Sequence, residues 1–183
     1  MRLTNVATMF QIFTPHTRGV TLVARAGTLS LLLCASGVAR ALADIDDQCA
    51  YLTHAADSEM RQCARAAGTQ DISNPACVSA HRSELVRAGS LCISGAEQHY
   101  EAAAGLSGYE ADQELMSAAR LEMYAISNNA LVDQHLAVSQ LKSVISLLSR
   151  VRNDPNAGDL APVAESMLGA AKSMLALVPA SQR

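Results

Sequence analysis

From Asp44 onward, apolar and polar positions recur every three to four residues, and no stretch alternates one by one. That is the period of a helix face, and a strand would need the shorter one. Met116, Ala119, Met123, Ile126 and Ala130 keep this spacing, as do Leu141, Val144, Ile145, Leu148 and Val151. Residues 45 to 67 hold no proline or glycine, so they predict one helix, with acidic residues at its start and Gly68 at its end.

A second helix is expected from Asn74 as cap and Pro75 in the first turn. Gly95, Gly105 and Gly108 interrupt the next stretch, where "AEQHYEAAA" reads as a short helix or a continuation of that arm. Tyr109 to Arg152 is helical again, with a break near Ser127, Asn128 and Asn129, which are weak helix formers, and Asp133, which falls on the apolar stripe. "RNDPNAGD" is a loop, and "APVAESMLGAAKSMLALV" is a last helix ending near Pro179. The fold class expected is all-α, a helical bundle.

The cysteines sharpen this picture. Cys49 and Cys63 are 14 residues apart, about 21 Å along a helix, whereas a disulfide needs its Cα atoms within about 7 Å. They cannot pair with each other, and their separation of nearly four turns puts both sulfurs on one face. Cys77 and Cys92, 15 residues apart, repeat the pattern on the second helix. Helices joined by a short connection pack antiparallel, so the pairing is nested: Cys63 with Cys77, and Cys49 with Cys92. The arrangement resembles the twin-cysteine helical hairpins of the mitochondrial intermembrane space, whose cysteines are more closely spaced. The inner bridge contributes about 3 kcal/mol in a chain-entropy account.

Composition divides the chain. The first 43 residues contain Arg2, Arg18, Arg25 and Arg40 but no Asp or Glu, and all 17 acidic residues lie from Asp44 onward. With the apolar run "AGTLSLLLCASGVA" and the small residues Ala41 and Ala43, this reads as a leader over residues 1 to 43 that is cleaved before Asp44. The destination implied is periplasmic or secreted. A mitochondrial presequence, leading to the intermembrane space, shares the same features. Residues 44 to 183 then form a single helical domain, with the stapled hairpin over 44 to 94 and a long helix and a C-terminal helix over 95 to 183.

That domain carries ten Lys/Arg against the 17 acidic residues, which argues against nucleic acid as a partner. No run in it reaches the ~18 apolar residues of a membrane span. Phe10 and Phe13 both fall in the leader, so its core is built from Ala, Leu, Val, Ile and Met.

Chemistry is sparse. His54 with Asp57, and His81 with Glu84, have helical spacing but lie on different levels of the hairpin, so no metal site and no cofactor is expected. His99 and His135 have no partner of recognisable spacing. "SQLK" at 139 to 142 lacks the companion elements of a penicillin-recognising enzyme. Asp154, Asn156 and Glu165 fall at positions one, three and twelve of a calcium loop, but Asp159 stands where its glycine belongs; a helix connection with Asp159 capping the last helix explains the same residues.

The expectation is a non-catalytic protein-binding module of the adaptor, chaperone, secretion-accessory or toxin-neutralising type. The alternative is a carrier of a small apolar ligand. On a wheel of the last helix, Val163, Met167, Ala170, Met174 and Val178 share one direction, with Leu168 and Leu175 displaced by about 100°. Leu168 and Leu175 are therefore the expected contact strip for another protein or a second copy, unless the helix sits in a groove that buries both edges.

Overall fold

The computed structural model describes the backbone of residues 29 to 179 and the side chains of residues 42 to 179. Among the described residues there are six helices and no strand: α1 (Leu29–Ala66), α2 (Pro75–Ala80), α3 (Arg82–Ala104), α4 (Gly108–Val132), α5 (Gln134–Asn153) and α6 (Leu160–Leu177). The chain is an all-α bundle. Part of the leader expected over residues 1 to 43 lies outside the described residues, and α1 runs unbroken from Leu29 across Ala43 and Asp44. No helix among the described residues is long and apolar enough to cross a membrane.

The first arm ends as its residues dictate. Gly68 takes φ +70°, a left-handed turn open to glycine, and the Thr69 N–H returns to the Ala64 carbonyl at 2.9 Å. Asn74 caps α2 by accepting from the Ala76 N–H, with Pro75 at the first helical position. The second arm bends at His81 before continuing as α3. It does not stop at residue 94: the glycines at 89 and 95 stay helical, and the arm reaches Ala104.

The bridges pair in nested order. Cys49 joins Cys92 with Cα atoms 5.0 Å apart, and Cys63 joins Cys77 at 5.7 Å. Each lies in its own apolar cluster. Cys49 and Cys92 pack with Ala96, Ala118, Leu121 and Ala125, and Cys77 packs with Ala56, Met60 and Leu85. The third and largest cluster joins the predicted stripes of α4 and α5 to Ala164, Met167, Leu168, Ala171 and Met174 of α6.

The α4 helix runs through Ser127, Asn128 and Asn129, and the break falls at Asp133, whose carboxylate accepts from the Leu136 N–H and caps α5. The orientation of α6 corrects the wheel. Leu168 is fully buried and Leu175 packs half-buried against the same cluster, while Val163 is 47% exposed. Ala164, Met167, Leu168, Ala171 and Met174 all face the core, so the helix lies in a groove that buries the Leu168 edge along with the methionines. Small alanines let helices approach closely, an effect a wheel weighted toward large side chains overlooks. Leu168 and Leu175 therefore form no exposed strip.

The approach of α1 to α3 depends on a missing side chain. A Cβ at Gly95 would stand 2.6 Å from Ile45 Cγ2 and 2.9 Å from Leu121 Cδ1, whereas one at Gly169 meets nothing. Gly95→Val is expected to destabilise by about 2 kcal/mol through overpacking, and Gly169→Ala to stabilise by up to about 1 kcal/mol through helix propensity. Urea denaturation of the two variants beside the parent checks both signs.

Candidate functional site: a charge network around the buried His99

His99 is 4% exposed on α3, one turn beyond Gly95 and Ala96. Its Nε2 lies 2.9 Å from Asp46 Oδ1 on α1, and its Nδ1 lies 2.5 Å from Glu114 Oε2 on α4. The far oxygen of Asp46 accepts from Arg120 at 2.6 Å. Three helices thus meet in a chain of charges: Glu114, His99, Asp46, Arg120. The close approach that Gly95 permits brings Asp46 within reach.

The geometry favours the protonated ring. A neutral imidazole has one N–H, so with carboxylates at both nitrogens one lone pair would face a carboxylate. An imidazolium donates to both. Its charge and that of Arg120 then balance the two carboxylates. Burial alone would pull the His99 pKa down and is the strongest single influence on it. The hydrogen bonds and charges of Asp46 and Glu114 together outweigh it and hold the ring above its ordinary 6.5.

The same arrangement decides what the site can do. With both nitrogens committed to carboxylates, the ring has no lone pair for a substrate proton. The carboxylates lie on opposite sides of the ring and do not converge on one point, as metal ligands must. Among the described residues no group of three or more His, Cys, Asp or Glu is placed to hold a metal ion.

Further buried polar groups link α4 to its neighbours. Asn128 donates to Thr53 Oγ1 at 3.1 Å and to the Tyr124 carbonyl at 3.0 Å. Thr53 in turn contacts the Cys92 sulfur at 3.6 Å. Asn129 donates to Gln140 of α5 at 3.0 Å. Tyr100 donates to Glu122 at 2.9 Å; burial first, and then the Glu122 charge, pushes the phenol's pKa up. Burial likewise raises Glu122, against the hydrogen bonds from Tyr100 and Ser143.

No family model, curated protein or solved structure matches the chain. The site must be read from its own geometry.

The residues singled out in the sequence are dispersed. Asp57 pairs with Arg61 at 2.8 Å, and His81 contacts Glu59 at 3.4 Å. The His54 ring sits edge-on to Tyr124, and Glu84 accepts from Ser83. The calcium-loop residues do not gather either. Glu165 pairs with Arg152 at 3.0 Å, and Asp154 accepts from the Asn156 N–H. Asp159 takes the N-cap position of α6, but its side chain caps nothing there and accepts from the Tyr109 hydroxyl at 2.8 Å. The network at His99 carries no sequence signal, because Asp46 and Glu114 stand 53 and 15 residues from it.

Because the folded ring holds its proton more tightly than a free histidine, protonation favours the folded state. This contribution is complete below about pH 6.5 and is lost as pH rises through the higher folded value. His99→Ala leaves both carboxylates without their shared cation and is expected to destabilise by about 2 kcal/mol near pH 6. Urea denaturation at pH 6 and pH 9 should show the deficit shrinking at the higher pH.

Proposed function

We propose that this chain is a periplasmic or secreted, non-catalytic protein-binding module whose stapled hairpin presents a rigid contact surface. The observation that carries the proposal is Tyr51, 72% exposed on α1 between the two bridged cysteines of that helix. An exposed tyrosine on a stretch of helix held by a disulfide on either side makes a contact with little ordering entropy left to lose. Tyrosine is also among the residues that dominate interface energies. The disulfides fit an oxidising compartment, as the leader reading requires. The commitment of both His99 nitrogens fits a role outside catalysis.

The carrier alternative requires a cavity of about 300 Å³ or more. The cleft lined by Ile126, Ala130, Ala137, Leu141, Met174 and Val178 holds about 20 Å³, room for about one water molecule. It gives that reading no support. With Leu168 buried, the contact surface proposed moves from the last helix to Tyr51.

The test is affinity capture from an extract of the oxidising compartment, using the oxidised protein and its Tyr51→Ala variant. A protein retained by the parent and reduced at least tenfold with the variant supports the reading, provided the variant's stability stays within about 0.5 kcal/mol. A partner retained equally by both removes Tyr51 from the interface. A small apolar molecule found in native mass spectra of the parent favours the carrier.

A further inference from the structure

The helix α1 is attached in two ways on either side of Cys49. Beyond it, toward the C-terminus, two disulfides bind it to the second arm. On the other side, Ile45 and Asp46 hold by contact alone: Ile45 fits over Gly95, and Asp46 reaches His99 and Arg120.

We propose that His99 is a pH-operated latch for this segment, with the Cys49–Cys92 bridge as its hinge. The groups facing the ring are Asp46 from α1 and Glu114 from α4, and Arg120 of α4 bears on Asp46 from the other side. With an imidazolium the cluster is electrically balanced. Loss of one proton leaves a net negative charge on carboxylates that share the ring. Whichever nitrogen keeps its proton, Asp46 is left with a hydrogen bond from an uncharged ring, without the attraction of the imidazolium charge, or with none. Glu114 stays in place because α3 and α4 are joined by a short turn and pack along their length.

The remaining tie to Asp46, from Arg120, has a donor side chain 45% exposed, where an ion pair is screened and weak. The segment therefore opens as pH rises above the ordinary histidine range, uncovering Gly95 and Leu121. The bridge confines the movement to residues ahead of Cys49. The latch is independent of which partner Tyr51 contacts, so failure of either proposal leaves the other standing.

Amide hydrogen exchange of the full oxidised chain between pH 5.5 and 9.5, corrected for intrinsic rates, reads the latch directly, with the ring followed by NMR. Protection at residues 45 to 48 is expected to fall at least tenfold with the same midpoint as the ring, above pH 6.5, while residues 53 to 63 keep theirs. Asp46→Asn should flatten the profile, and Arg120→Ala, which removes a cation near the ring, should move the midpoint upward. Constant protection through the ring's titration would overturn the proposal. So would a midpoint at or below 6.5, or a loss of protection shared by both segments.

Discussion

The buried Cys49–Cys92 bridge is the constraint on which the rest of the bundle depends. It brings α1 and α3 to a Cα separation of 5.0 Å, closer than large side chains between the helices would permit. The neighbouring positions are accordingly Gly95, Ala96, Ala118 and Ala125. Closing 43 residues of sequence separation, it restricts the unfolded chain by an amount worth about 4 kcal/mol in the chain-entropy account. A core without Phe or Trp from Asp44 onward buries modest area per residue, so this contribution weighs heavily. The same close approach sets Asp46 beside His99, and the charge network follows from the staple.

Around that contact α4 acts as the central element. It offers Glu114 to α3, Arg120 and Asn128 to α1, Glu122 to α3, and Asn129 to α5. Each link crosses an interface made largely of alanine and leucine, which would pack nearly as well after sliding by one turn. A buried polar pair does not tolerate such a slip, because a displaced amide or carboxylate loses its partner in a medium that cannot replace it. The polar residues thus fix the register of a core whose apolar residues alone specify it weakly.

Local features were legible in the sequence. The nested cysteines follow from helical rise and antiparallel packing. The Asn74 cap, the end at Gly68 and the break at Asp133 follow from residue chemistry within a few positions. Asn128 and Asn129 show where such reasoning fails: read as weak helix formers they suggested a break, but their amides have tertiary partners that hold them inside the helix. His99 was opaque for the same reason, since its partners come from other helices. Leu168 was placed on an edge because side-chain size alone does not reveal which face small residues allow to approach most closely. Tertiary partners, which no local window contains, account for each of these differences.

The central claim is that the doubled cysteine segment is one antiparallel hairpin closed by nested bridges. Proteolysis of the oxidised protein at acidic pH, which prevents exchange, followed by mass spectrometry of the non-reduced peptides, tests it most directly. The account predicts Cys49 linked to Cys92 and Cys63 linked to Cys77. Recovery of Cys49 linked to Cys77, or of all four cysteines as free thiols in the folded protein, would contradict it.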